Sequence, residues 1–350
     1  MIPCKLTGKP FWEIYVNENP PLWKAYIDAV RYYDFDAWFI DGYIEYLTPY
    51  PIKPRRLSLK KTKSRWIEER VFETPAGDLT ETVTYYVADP PTKTSKVVKD
   101  FDQDFPRLLA LFPEILDYDS SVLEEQRAEL GELGPLGTFI ECPGFHTWLD
   151  YFDGNLEALT YAYYDHPDRF EELREVHEKN ALRRCEMAID AGVDHILTVG
   201  SGSITLQSPE LWDKFTLPTL EKITKMCKEA GVISGVHSCG KEAHVVKSAY
   251  EKTNLNYINP LEIPPMGDSN LREFKQLYGD KLCLMGNIHT TDVMLKGTPS
   301  DVERAARQAI DNAAAGGGFI LSTGDQCGRD TPEENIRTLI RTAREYGVYK

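Results

Sequence analysis

The chain has 350 residues, of which 42% are hydrophobic and 27% charged, the make-up of a globular protein that can bury a large core rather than of a disordered or fibrous one. Its formal net charge of −15 repels phosphate backbones and anionic headgroups, so neither nucleic acid nor a membrane surface is an expected partner. Its 7 cysteines, an odd number spread through a long chain, point to thiols or metal ligands and not to a disulfide framework.

The opening MIPCKLTGKPFWEIYVNENP lacks the charged head and apolar run of a signal peptide, and a cytoplasmic location is expected. Residues 1–21 read as an N-terminal extension, followed by a helix at Leu22 to Tyr33 and a first strand at Asp36 to Ile40. Residues 51–92 read as an insertion. Its basic start, Lys53 to Arg65, suits a solvated loop or hairpin, with a docking patch for an acidic partner as the alternative. A β-hairpin is expected near residues 66–87, turning at Pro75 to Asp78 over one mouth of the fold.

From about residue 136 the chain alternates short β-rich runs with amphipathic helices, the pattern of parallel β/α units in a single α/β domain over residues 1–350. Strands are expected at Gly137 to Cys142, Asp194 to Val199, Val232 to His237, Leu255 to Asn259, Leu282 to Asn287 and Phe319 to Thr323. Helices are expected at Asp168 to Ala191, Pro209 to Ala230, Ser300 to Ala315 and Pro332 to Tyr346, with Ser208 and Thr331 as caps.

Ligands of such a fold sit on loops at the C-terminal strand ends. The polar residues there are Asp41, Glu141, Gly200 to Ser203, His237 to Gly240, Asn259 to Glu262, Asn287 and His289, and Gly324 to Cys327. His237 and Cys239 stand two apart, so in extended backbone both face one side and a single ion can touch both. With Cys327 at another strand end, two thiolates and an imidazole suit Zn2+ and leave a fourth position open. The alternative is that the histidine is merely hydrogen-bonded and the cysteines are small buried hydrophobes, as Cys185, Cys227, Cys283, His166 and His177 are read. Asp41 is either a catalytic carboxylate or a loop cap. Gly200 and Ser201 let a ligand approach the backbone, and Asn287 is grouped with them as cofactor-binding.

VRYYDFDAWFIDGYI (30–44), AIDAGVDHILTVGSGSITLQSPELWDKFTLP (188–218), VISGVHSCG (232–240), LCLMGNIHT (282–290) and TPEENIRTLI (331–340) together resemble the uroporphyrinogen decarboxylase superfamily from about Leu22 to the C-terminus. The resemblance implies a single distorted (β/α)8 TIM barrel. It also implies one of two chemistries: metal-free decarboxylation of uroporphyrinogen, or zinc-dependent methyl transfer to or from a corrinoid. The decarboxylases' arginine-rich N-terminal motif is missing, since arginine first occurs at Arg31, and Cys327 stands near the place of their late histidine. Their pyrrole-binding aspartate has a counterpart in Asp41.

The zinc branch resembles H-x-C followed by a distant cysteine, matched by His237, Cys239 and Cys327, and its members also bring to the metal a glutamate matched by Glu262. The expected function is therefore a zinc-dependent methyltransferase working between a small thiol or methyl ether and a corrinoid supplied by a partner protein. Uroporphyrinogen decarboxylation and a non-catalytic corrinoid- or porphyrin-binding role are the alternatives.

Overall fold

The computed structural model describes residues 1–349. Along the chain come β1 (Glu45–Leu47), β2 (Arg55–Lys61), β3 (Arg65–Thr74), β4 (Gly77–Tyr86), β5 (Thr92–Ser95) and β6 (Asp117–Asp119). β1 and β6 pair antiparallel, and the four between them form a separate antiparallel sheet in the order β2-β3-β4-β5. The expected hairpin is β3 and β4, in register from Arg65↔Tyr86 to Thr74↔Gly77 across a turn at Pro75 and Ala76. The sheet is wider than the sequence pattern indicates, because β2 and β5 add an edge on either side. Most of the basic stretch expected as a loop or hairpin is the exposed edge strand β2, where Lys and Arg discourage pairing with another chain. Trp66 of β3 stacks on Trp12 at 5.2 Å, tying this sheet to the N-terminal helix Phe11–Tyr15.

The strands that carry the site follow: β7 (Gly137–Ile140), β8 (His195–Val199), β9 (Ile233–His237), β10 (Tyr257–Asn259), β11 (Cys283–Ile288) and β12 (Phe319–Thr323). All pair in parallel, and their spatial order matches their order in the chain. Each lies within a few residues of its expected place. Helices Pro167–Asp190, Leu217–Ala230, Ala243–Lys252, Leu271–Tyr278 and Pro299–Ala313 make the crossovers and bury their apolar faces against the sheet. Among the described residues, no helix is long and apolar enough to cross a membrane.

Three expectations need correction. The strand expected at Asp36 to Ile40 is only a parallel bridge, Phe39↔Leu136. Its neighbour on that side contains Pro135, which has no N–H to extend the ladder. The helix expected over Pro209 to Ala230 is broken by a π-helical stretch, Trp212–Thr216, ahead of Pro218, whose missing N–H cannot continue the helical ladder. Ser208 caps as expected by accepting from the Leu211 N–H, but the last helix starts at Glu333 without a side-chain cap from Thr331.

The sheet curls tightly. Trp38, beside the outer edge of β7, donates from Nε1 to the Tyr257 hydroxyl on β10 at 3.0 Å, although β7, β8 and β9 lie between them. With neighbouring strands about 4.8 Å apart, a flat sheet could not bring these groups together. The Tyr257 hydroxyl is in turn 3.0 Å from His195 Nδ1, and His195 Nε2 donates to the Phe39 carbonyl at 3.0 Å. Glycine makes room for this floor: a Cβ on Gly235 would fall 2.0 Å from the Tyr257 ring, and one on Gly137 would fall 2.3 Å from the His195 ring. Strand pairing thus establishes a curled α/β sheet with an aromatic floor; among the described residues its edges are not joined by a further ladder.

Candidate metal centre and substrate cavity

Above that floor, at the C-terminal strand ends, lies a cavity of about 600 Å³. The loops around its rim are held to one another by backbone bonds that continue the parallel ladder beyond the strands. Gly200 N–H donates to the His237 carbonyl at 3.0 Å, Gly202 N–H to Cys239 at 3.1 Å, Ser238 N–H to Asn259 at 2.9 Å, and Gly324 N–H to Ile288 at 2.7 Å.

His237 lines this cavity. Its Nδ1 donates to Asn259 Oδ1 at 2.7 Å, which leaves Nε2 with its lone pair beside the Ser201 hydroxyl, 3.3 Å away. Metal-binding imidazoles are oriented in this way, with one nitrogen tied to an acceptor so that the other is offered to an ion. Glu262 takes the Gly240 N–H on Oε2 at 2.6 Å, binding the loop after β10 to the loop after β9. Burial raises its carboxyl above the ordinary range and Asp325 adds to this, while the Gly240 N–H and the charges of His289 and His237 oppose. Burial likewise raises the Cys239 thiol, with Asp325 and Glu262 adding to the rise and the Ser201 hydroxyl opposing it. His237, Cys239, Glu262, Asp325 and His289 therefore share one electrostatic neighbourhood.

Cys327 is linked to this group through the Asp325 charge. Its thiol packs against the main core and is raised by burial, with the Thr323 and Thr331 side chains opposing. Among the described residues, no three His, Cys, Asp or Glu side chains are gathered closely enough to hold an ion. The donor chemistry nonetheless fits a soft divalent cation: an oriented imidazole, a thiol two residues on, and a carboxylate held at the same rim.

The other candidates divide. Gly200 and Ser201 line the cavity. Asn287 is buried on β11 with its amide Nδ2 unpartnered. Asp41 is not a lining residue. It keeps accessible surface yet is walled by protein, and desolvation pushes its carboxyl up to about 6; its charge acts on Tyr26 and Tyr15. Cys185, Cys227 and His177 are buried, in line with their reading as core residues.

Sequence reasoning gave no role to Glu141 and Asp325, which it saw only as strand-end residues, and passed over His146 and Asp150; all four line the cavity. His146 is held by a chain of bonds. The Phe145 N–H fixes Gln207 Oε1 at 3.0 Å, which turns Gln207 Nε2 toward His146 Nδ1 at 3.2 Å. His146 is therefore protonated on Nε2, and that buried N–H has no acceptor in the protein. The signal for this was weak, since 61 positions separate His146 from Gln207.

Burial pushes both His146 and His177 down to about 3 from 6.5. Each is neutral in the fold between those values, whereas the unfolded chain takes up a proton. Their stabilising contribution is thus complete above about pH 6.5 and is lost as the pH falls toward 3. Each should cost ~1.4 kcal/mol of unfolding free energy per pH unit across that window. Urea titrations at a series of pH values test this, and His177→Gln is expected to flatten the slope by one proton.

The sequence pattern of the uroporphyrinogen decarboxylase (URO-D) family matches residues 86–346, well over half of the chain. The chain belongs to the URO-D family. This URO-D member is 28% identical over 161 residues to the methylcobamide:CoM methyltransferase MtbA of Methanosarcina mazei, covering 45% of this chain and 44% of that protein. It is 27% identical over 180 residues to the methylcobamide:CoM methyltransferase MtaA of Methanosarcina barkeri, covering 51% and 50%. The chain thus spans about half the length of the curated relatives it matches. Its fold is shared with a solved methyltransferase from Methanosarcina mazei, at a TM-score of 0.65 and 16% identity over 99% of this chain and 90% of that one.

Proposed function

We propose that this URO-D family member passes a methyl group between a small thiol or methyl ether and a corrinoid carried by a partner protein. Zinc would be held by His237, Cys239 and Cys327, with Glu262 at an exchangeable position. The observation that carries this reading is the posture of His237, whose Nδ1 is tied to Asn259 so that Nε2 is offered at the head of the cavity. Ligation through Cys327 requires the loop after β12 to turn that thiol away from Thr323 and Thr331. The methyltransferase names of the relatives support the same reading. A single domain, closed as a distorted (β/α)8 barrel and carrying the 1–21 extension and the 51–92 insertion, is part of it.

When bound, zinc would lower the pKa of a substrate thiol or polarise an ether oxygen. The chain's own groups prepare that event. Asn259 fixes the imidazole tautomer, and the Gly240 N–H holds the Glu262 carboxylate at the rim. Gly200 and Ser201 leave the backbone open to close approach; the Asn287 amide, grouped with them as cofactor-binding, is buried on β11 with its Nδ2 unpartnered. Asp41, with its carboxyl at about 6, can hold or release a proton near neutral pH beside the lining residue Ile40.

Decarboxylation of uroporphyrinogen would need cations for the substrate's carboxylates, and among the described residues no Lys or Arg lines the cavity. Elemental analysis of protein purified without added metal is expected to find roughly one zinc per chain. Methyl transfer between methylcobalamin and a small thiol should accompany it. Metal-free protein that turns uroporphyrinogen into coproporphyrinogen would overturn this reading.

A further inference from the structure

Apart from its two histidines, the charged side chains that line the cavity are acidic. Glu141, Asp150 and Asp325 line it, and among the described residues no Lys or Arg does. Burial raises the Glu141 carboxyl above its ordinary range, and the two cations that oppose this, Arg184 and Lys93, are committed elsewhere. Arg184 lies over the Tyr46 ring at 4.9 Å, and Lys93 stands 3.9 Å from Glu81 and donates to the Asp150 carbonyl. Two aromatic rings, Trp38 and Phe139, complete the lining on the β7 side, and Phe139 is 38% exposed although it lies within a strand of the sheet. His146, 8% exposed, brings a ring whose Nε2–H has no protein acceptor.

An anionic substrate meets three carboxylates here, and the proposed zinc at His237 would have its charge neutralised by the Cys239 and Cys327 thiolates; each like-charge approach in a partly desolvated cavity costs binding energy. A cation meets the opposite: focused negative potential and the faces of two rings. The lone His146 N–H then marks a place for one acceptor oxygen on the same molecule.

We propose that the small substrate of this cavity is an organic cation, a methylated ammonium or sulfonium that also carries an oxygen acceptor. The proposal rests on the methyl-transfer reading and puts a cationic donor in place of its thiol or methyl ether. Were the donor's methyl carbon passed to the Co(I) of a partner-borne corrinoid, the C–N or C–S bond would break and its electron pair would stay on nitrogen or sulfur. The donor then departs as a neutral amine or thioether, and no proton is needed. Loss of the charge on turnover also removes the attraction that held the molecule, which favours product release.

The test is calorimetric titration of the intact protein with choline, with its neutral isostere 3,3-dimethylbutan-1-ol, and with 2-mercaptoethanesulfonate as the anionic probe. Choline is expected to bind about tenfold or more tightly than the isostere, and the sulfonate most weakly. Glu141→Gln and Asp150→Asn should each bring the choline-to-isostere ratio toward one. The wild-type comparison decides even if those variants fail to fold. Equal affinity for choline and its isostere, or tighter binding of the sulfonate, overturns the proposal. Selective cation binding without methyl transfer to cob(I)alamin would instead refute the methyltransferase reading and leave this inference standing. Methyl transfer from neutral or anionic donors with no cation preference does the reverse.

Discussion

Cys239→Ala is expected to strip zinc from the protein and to lower methyl transfer about a hundred- to a thousandfold. The thiol sits at the rim between the Ser201 hydroxyl and the carboxylates of Glu262 and Asp325, with His237 two residues before it. Without a metal, burial and those two carboxylates hold the thiol in its neutral form. A divalent ion beside it reverses that balance, because the thiolate is the form that coordinates. Removing the sulfur leaves the His237 imidazole, the Glu262 carboxylate and the Cys327 thiol, whose loop must turn to reach the ion, too few preorganised soft donors to retain zinc against a chelator. Asn259→Ala should be milder, about ten- to a hundredfold in metal affinity, because it frees the His237 ring without removing a donor. Zinc content by mass spectrometry and the rate of thiol methylation are the two readouts. Cys327→Ala completes the series: loss of zinc places the third sulfur at the ion, and retention transfers that role to Glu262 or Asp325. Stoichiometric zinc surviving in Cys239→Ala would refute the assignment.

The six parallel strands were legible because each is a short apolar, β-rich run, buried on both faces in β8, where Ile196 and Leu197 are about fully buried. The interval from His237 to Cys239 was legible for a related reason, since strand geometry extends a residue or two past the last ladder bond. The local pattern could not carry what depends on long-range convergence. Nothing in the 324–330 loop indicates that the Cys327 thiol turns toward Thr323 and Thr331 while Asp325 faces the cavity. The segment at Asp36 to Ile40 has the composition of a strand, but its neighbour is interrupted at Pro135, and no feature of the segment itself reveals that. β2 was obscured because an exposed edge strand made of Arg, Ser, Leu and Lys has the composition of a loop. His146 escaped because its fixed tautomer depends on Gln207, a residue on a different loop.

The largest loss of stability is expected from Trp148→Ala. The indole is fully buried and packs against Phe215 at 5.1 Å and Phe170 at 5.6 Å, with Phe145 at 6.3 Å. Its Nε1 donates to His177 Nδ1 at 3.2 Å, so truncation leaves both a cavity and a buried acceptor without its donor. Emptying such a site costs ~3–5 kcal/mol, and the orphaned imidazole nitrogen adds about 1–3 kcal/mol unless water enters. Trp148→Phe keeps most of the packing and loses the hydrogen bond, so it should cost about 1–3 kcal/mol. The comparison also reaches function. The helix Phe145–Trp148 carries His146 and Thr147 into the cavity wall, and Trp148 anchors its far end, while Thr147 ties it to the Cys142 carbonyl at 2.9 Å. Any relaxation of the helix into the vacated space shifts the His146 ring away from Gln207. Trp148→Ala should therefore weaken binding in the cavity as well as the fold, whereas Trp148→Phe should spare binding. Urea unfolding of the three proteins measures the first effect and calorimetric titration the second; an alanine variant within about 1 kcal/mol of wild type would mean that this aromatic cluster does not support the cavity wall.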